Sequence, residues 1–135
     1  LEKQLEINTF PMDRHQSVTA DVVKFLSNTD EEYDLIIVDP PAFAKTLDKR
    51  HNAINGYKRL NQLAIGRVAK GGIMMTFSCS QVIDRQLFYD TITSAAIACG
   101  RNVRVLGHLS QPGDHPVSLA HPEGAYLKGL VLAVD

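Results

Sequence analysis

The chain has 135 residues, of which 44% are hydrophobic and 21% charged, and its formal net charge is -1. This length can form one domain of ordinary size, or part of one, around a single core. No apolar run reaches the roughly 18 residues of a membrane span, and the first residues lack the order of a signal peptide. The cysteines, Cys79 and Cys99, show neither a disulfide framework nor zinc-ligand spacing. This usage fits a reducing cytoplasm.

Charge is distributed unevenly along the chain. Residues 1–34 contain three basic and eight acidic side chains, a net charge of -5, whereas residues 45–70 contain seven basic and one acidic, a net charge of +6. The overall charge of -1 argues weakly against a nucleic-acid partner, but a basic block of this kind could attract phosphate groups. A solvated helix face explains the same pattern equally well.

The first part of the chain predicts a helix, a strand, a helix and a strand. Residues 1–8, "LEKQLEIN", look like the end of a helix whose beginning is absent, which predicts that the chain is a fragment. Residues 17–20 predict a short strand, and Asp21 stands where the next helix begins. Residues 35–38 are uniformly apolar, which is typical of a parallel strand covered on both faces. Asp39 and two prolines end that strand.

The second part continues the alternation. Apolar spacing predicts a helix over residues 52–68, with Gly71 and Gly72 ending the connection. A buried strand over 73–77, a helix over 84–99 and two final strands follow, and a long loop at 110–125 separates the last two. This order predicts an α/β domain with a mainly parallel sheet and an antiparallel pair at one edge.

Three polar residues follow predicted elements at the same edge of this sheet. Asp21, Asp39 and Cys79 each come at the carboxyl end of a predicted strand. Ligands of open α/β sheets bind outside these ends. The sequence therefore predicts a pocket there.

The loop "DPPAF", residues 39–43, has two interpretations. Two prolines remove two backbone donors and hold Asp39 in a stiff, acceptor-rich loop. With Phe43 packing nearby, such a loop can hold a flat base by its amino group, as enzymes do with a flipped base. A tight turn after a strand accounts for the same residues.

The two cysteines differ in their surroundings. Cys99 falls on the apolar face of a predicted helix, where cysteine acts as a small hydrophobe. Cys79 ends a strand, stands between two serines and precedes a helix whose free amide groups favour the thiolate. Cys79 is therefore the candidate nucleophile.

Five segments together carry a family resemblance: "DPPAF" at 39–43, "GYKRLNQLAI" at 56–65, "GGIMMTFSCS" at 71–80, "DHPV" at 114–117 and "HPEGAYLKG" at 121–129. In this order, over nearly the whole chain, they resemble the bacterial S-adenosylmethionine-dependent RNA methyltransferases that methylate cytosine C5 in large-subunit ribosomal RNA. The resemblance implies a partial Rossmann-like class I methyltransferase fold. It also implies an RNA-binding, cytoplasmic enzyme of rRNA processing with S-adenosyl-L-methionine as cofactor.

The resemblance also implies roles for particular residues. Cys79 matches the cysteine that attacks C6 of cytosine, and Asp39 the residue that orients the base, which makes these two the catalytic residues. Cofactor contacts are implied for Asp21, Asp39 and Pro40. Substrate contacts are implied for Pro41, Phe43, Lys45 and Ser78.

The sequence departs from the family in one respect. No G-x-G occurs in the 135 residues, although the family's first loop is rich in glycine. The expectation is therefore that residues 1–135 form the carboxyl-terminal part of a methyltransferase domain, with its first two strands missing. An uncovered sheet edge would then favour a homodimer.

Two other functions remain open from the sequence. An amino-nitrogen methyltransferase acting on a base would use residues 39–43 and leave Cys79 incidental. Such enzymes usually place the aromatic ring directly after the second proline, whereas Ala42 intervenes here. A non-catalytic interaction module would use an exposed sheet edge to pair with another chain.

Overall fold

One mixed four-stranded sheet is present in the computed structural model, which describes residues 2–44 and 46–135. Its strands are β1 (Tyr33–Val38), β2 (Val68–Ser78), β3 (Val103–Leu109) and β4 (Lys128–Val134), in the spatial order β1-β2-β4-β3. β1 is parallel to β2, and β4 is antiparallel to both of its neighbours. Three strands thus point one way, and the predicted α/β class and antiparallel edge pair are confirmed.

The helices are α1 (Glu2–Ile7), α2 (Val22–Asn28), α3 (Arg50–Gly66) and α4 (Arg85–Cys99). Two of them begin at an aspartate whose carboxylate accepts a hydrogen bond from the first turn: Asp21 from the amide of Lys24 at 3.0 Å, and Asp84 from the amide of Leu87 at 2.8 Å. These caps satisfy amides that have no partner within the helix. None of the helices described is long and apolar enough to cross a bilayer.

α3 and α4 supply one side of the core. Their buried residues recur every three or four positions, which places them on one face of each helix. The rings of Tyr57 and Phe88 meet edge to face across the two helices, with centroids 5.9 Å apart. α3 also reaches the sheet, since Thr76 of β2 donates a hydrogen bond to the side chain of Asn61 at 2.6 Å.

Two predicted boundaries shift in the structure. The predicted helix over 52–68 begins two residues earlier and ends at Gly66, because Val68 already pairs with Tyr33 as the first residue of β2. Gly71 and Gly72 lie inside β2, so they do not end the connection between α3 and this strand. Gly71 has a φ of 79°, and the register between β1 and β2 shifts at this point. Glycine accommodates this left-handed backbone without strain.

The predicted strand at 17–20 is wrong: these residues are not part of the sheet. An extended segment becomes a strand only when its amide and carbonyl groups pair with a neighbour. β1 is the edge of the described sheet on that side, and it pairs only with β2.

The prediction that β1 is covered on both faces is also wrong. Val38 is buried and Ile36 half-buried, whereas the alternate residues Leu35 and Ile37 are 54% and 60% exposed. Alternate residues of a strand point to opposite faces, so the helices cover one face and leave the other open.

This apolar face leads us to expect self-association of the 135-residue chain, since large exposed apolar patches tend to be covered by a partner. Light scattering over a concentration series should show dimers at high concentration. Replacing Ile37 with lysine should reduce the dimer population, because the charge would be buried in the contact. A monomer at every concentration would contradict the expectation.

Candidate active site

Two loops leave the sheet side by side at the carboxyl ends of β1 and β2. Val38 pairs with Thr76 in the parallel register, so residues 39–44 and residues 79–84 start from the same edge. The fold thereby brings Asp39 and Cys79 to one edge from positions forty residues apart in the sequence. The sequence predicts this meeting of Asp39 and Cys79 at one edge. It also predicts that Asp21 ends a strand at the same edge, which is wrong, because Asp21 begins α2 without a preceding strand.

The two serines beside Cys79 anchor its loop, Ser80 to the first loop and Ser78 to α3. Ser78 and Ser80 are 0% and 1% exposed. The hydroxyl of Ser80 donates to the carbonyl of Ala44 at 2.8 Å, and the hydroxyl of Ser78 donates to the phenol oxygen of Tyr57 at 3.0 Å. Cys79, between two buried neighbours, is partly exposed as a free thiol. The serines therefore fix the backbone from which Cys79 projects.

Tyr57 lies beneath both loops. It is fully buried, and its ring packs against that of Phe43, with centroids 4.6 Å apart. Burial raises the pKa of the Tyr57 phenol, the hydrogen bond from Ser78 opposes this rise, and the nearby Cys79 and Asp39 add to it. The neutral phenol thus accepts from Ser78 and packs against Phe43, one residue from each of the two segments that carry Cys79 and Asp39.

We expect Ser80→Ala to destabilise the protein by about 1–2 kcal/mol, because the carbonyl of Ala44 loses its buried partner. Chemical denaturation of the variant measures this cost. Ser94→Ala, at a half-buried position in α4, is the matched control and should change stability by less. Equal stabilities for the two variants would show that the link between the loops contributes nothing.

A cleft of about 660 Å³ opens beside the first loop. Five of the predicted site residues line it: Asp21, Asp39, Pro40, Pro41 and Phe43. Its volume lies within the usual range for small-molecule sites. Its walls are mostly apolar and come from α2, β1 and the loop after β1, with two carboxylates at its rim. Cys79 does not line this cleft.

The two remaining predicted substrate contacts are Lys45 and Ser78. Lys45 lies outside the described residues. Ser78 is fully buried with its hydroxyl engaged by Tyr57, a geometry that favours a structural role. Direct contact between Ser78 and a substrate stays a prediction.

Lys128 is a site residue that the sequence reasoning missed. It is the first residue of β4, pairs with Ser78 and is only 5% exposed. Its ammonium donates to the carbonyls of Ser80 and Tyr126, both at 2.7 Å. Burial lowers the pKa of Lys128 to about 8; the nearby Cys79 opposes this shift, Arg85 adds to it, and Asp84 opposes it weakly. The sequence signal is a lysine opening the apolar strand "KGLVLAV".

No family model matches the chain. Comparison with individual proteins does find relatives. It is 40% identical over 130 residues to the ribosomal RNA large subunit methyltransferase I of Aeromonas salmonicida, covering 94% of this chain and 33% of that protein. The protein of the same name from Escherichia coli O1:K1 is 38% identical over 135 residues, covering 98% of this chain and 34% of its own length. The chain thus spans about a third of the curated relatives it matches.

Solved structures show the same fold. A putative SAM-dependent methyltransferase from Streptococcus mutans superposes with a TM-score of 0.79 at 21% identity, over 98% of this chain and 34% of that one. A putative methyltransferase complexed with SAH gives the same TM-score and identity, over 98% of this chain and 35% of that one. The chain therefore has the Rossmann-like fold of these methyltransferases.

Proposed function

We propose that this chain belongs to the catalytic domain of an S-adenosylmethionine-dependent enzyme that methylates C5 of a cytosine in large-subunit ribosomal RNA. The observation that carries the proposal is the position of Cys79. Cys79 is a free, partly exposed residue between two anchored serines, at the sheet edge from which the Asp39 loop also departs. The likeness to ribosomal RNA large subunit methyltransferase I supports RNA as the substrate.

The cleft fits the adenosine part of the cofactor. Apolar walls suit the flat faces of a purine, and the carboxylates of Asp21 and Asp39 are acceptors for amino or hydroxyl groups. Asp21 reaches the cleft although it also caps α2, because one carboxylate oxygen accepts from Lys24 and a carboxylate has several lone pairs. When bound, S-adenosylmethionine supplies an electrophilic methyl group.

Cys79 would supply the nucleophile that cytosine C5 needs. C5 becomes reactive only after a thiolate adds to C6, because this addition moves the electrons of the C5–C6 double bond onto C5. C5 would then take the methyl group as the S–CH3 bond of the donor breaks, which leaves S-adenosylhomocysteine, and a base would remove the proton from C5. The electrons of the C5–H bond restore the double bond, and the Cys79 thiolate leaves.

Asp39 would hold the base in place for this addition. The two prolines that follow restrict its backbone, and Phe43 is fixed against Tyr57. A carboxylate can accept from the amino group of cytosine and stabilise a proton at N3. That proton neutralises the negative charge that thiolate addition places in the ring.

The RNA backbone would contact the basic block beyond this loop. Lys49 and Arg50 are exposed at the start of α3, and Arg59 is exposed further along the helix. Arg67 is engaged elsewhere, since its guanidinium donates to the carbonyl of Leu26 at 3.1 Å. The exposed members of the block therefore remain available for phosphates.

Methyl transfer to RNA is the direct test of this function. The full-length protein is incubated with unmodified large-subunit ribosomal RNA and methyl-labelled S-adenosylmethionine, and the nucleosides are then identified by mass spectrometry. The proposal predicts label in 5-methylcytidine. Label in an N-methylated base would support the second candidate function, an amino-nitrogen methyltransferase. That function is favoured by one observation: Asp39, Pro40 and Pro41 line a cleft that Cys79 does not line. Absence of label in RNA would contradict the proposed reaction, and it would also exclude an amino-nitrogen reaction on this RNA.

A further inference from the structure

We propose that Gly56 is a positioning residue of the cleft beside the first loop, because it leaves the space on α3 against which the ring of Phe43 packs. Phe43 then presents the uncovered part of its ring to the cleft as a stacking surface for a flat base. This inference rests on the proposed function only for the identity of that base.

The first observation is the close approach of Phe43 to the helix. A Cβ atom at Gly56 would lie 3.3 Å from Cδ2 of Phe43, 3.5 Å from Cε2 and 3.7 Å from Cγ. Non-bonded carbon atoms pack best at about 3.5–4.0 Å. The shortest of these contacts would therefore displace the ring, and a side chain longer than that of alanine would displace it further.

The second observation is that the backbone at this position does not require glycine. Gly56 lies in the interior of α3 and has an ordinary helical conformation. Alanine stabilises such a position more than glycine does, because glycine loses more conformational freedom when the helix forms. The contact with Phe43 is thus what the missing side chain provides.

Phe43 is also held by its other neighbours. Tyr57, the residue after Gly56, packs against the same ring with centroids 4.6 Å apart and planes inclined by 56°. Ala44, the residue after Phe43, is buried, and its carbonyl accepts the hydrogen bond from Ser80. Phe43 nevertheless remains 39% exposed and lines the cleft of about 660 Å³.

The cleft pairs this ring with a hydrogen-bond acceptor. Aromatic side chains stack on the faces of bases, and a carboxylate such as that of Asp39, which lines the same cleft, accepts from an amino group. The ligand chemistry is therefore a flat base that carries an amino group. Cytosine of the RNA and adenine of the cofactor share this chemistry.

The first test asks whether Gly56 and Phe43 are coupled, and it needs no ligand. Gly56→Ala is made in the full-length parent protein and in Phe43→Ala, and the thermal unfolding midpoints are compared. Alanine strengthens the helix in both proteins but displaces a ring in only one. We therefore expect Gly56→Ala to raise the midpoint by about 2 °C more in Phe43→Ala than in the parent.

Gly66→Ala is the matched control for this coupling. Gly66 is the last residue of α3, and its Cβ atom would meet the sulfur of Cys99 at 3.4 Å instead of Phe43. Its effect should be the same in both backgrounds. Equal effects of Gly56→Ala in the two backgrounds would overturn the proposal.

The second test measures binding of the base. Calorimetry gives the affinity for S-adenosylmethionine, and filter binding gives the affinity for unmodified large-subunit ribosomal RNA. Phe43→Ala should weaken one of the two by about tenfold, since the base loses its stacking partner. Gly56→Leu should approach the same loss, Gly56→Ala should show a smaller one, and Gly66→Ala should show none.

The two affinities identify the base. Weaker binding of RNA assigns the ring to the target base, and weaker binding of S-adenosylmethionine assigns it to adenine. Gly56→Leu with both affinities unchanged would overturn the proposal. Neither measurement requires methyl transfer, so an inactive parent protein would remove the proposed function without deciding this inference, which the unfolding midpoints and affinities decide.

Discussion

Cys79→Ala in the full-length protein should abolish methyl transfer, lowering the single-turnover rate by about 1,000-fold or more, because without a thiolate C5 has no route to a nucleophilic state. Binding of S-adenosylmethionine should be unchanged, since Cys79 does not line the cleft proposed for the adenosine part. Calorimetry on the same preparation checks this second expectation.

Cys99→Ala is the matched control for this result. Cys99 is half-buried on the inward side of α4, and its sulfur lies 3.4 Å from where a side-chain carbon on Gly66 would be. Truncation should cost about 1 kcal/mol of stability and leave the rate within about twofold. Full activity of Cys79→Ala would show that the thiol takes no part in the chemistry.

Asp39→Asn should lower kcat by about 100-fold and leave KM nearly unchanged. Asparagine can still accept a hydrogen bond from the amino group of cytosine and donate one to N3, so the neutral base binds. It carries no charge to stabilise a proton at N3, so thiolate addition becomes slow. Asp39→Ala should lower kcat and also raise KM, because it removes the contact to the amino group as well.

Steady-state kinetics on RNA, with both variants beside the parent protein, measure this division. A raised KM with unchanged kcat in Asp39→Asn would mean that Asp39 only binds the base. The sharper form of the proposal, in which Asp39 activates the base, would then be wrong.

The sequence predicts the parts of this site that depend on local rules. Asp21 and Asp84 are recognisable as helix starts, and both cap their helices. The meeting of Asp39 and Cys79 at one edge follows from the parallel pairing of two apolar strands. Such features need only the periodicity of apolar residues and the topology of an α/β sheet.

The rest of the site depends on contacts between distant segments. Nothing near Ser80 in sequence indicates that its hydroxyl reaches Ala44, thirty-six residues away. Lys128 lies forty-eight residues from its acceptor at Ser80. The strand predicted at 17–20 fails for the same reason, since a strand is defined by its neighbour. Sequence patterns therefore do not predict hydrogen bonds between buried polar groups that lie far apart along the chain.

Covalent trapping tests the central proposal most directly. RNA carrying 5-fluorocytosine at the target position is incubated with the full-length protein and S-adenosylmethionine. The fluorine at C5 cannot leave as a proton does, so the adduct formed after methyl transfer should persist and migrate slowly on a denaturing gel. Peptide mapping should place it on Cys79, and Cys79→Ala should give no complex. An active enzyme that traps no adduct, or traps one on another residue, would contradict the mechanism.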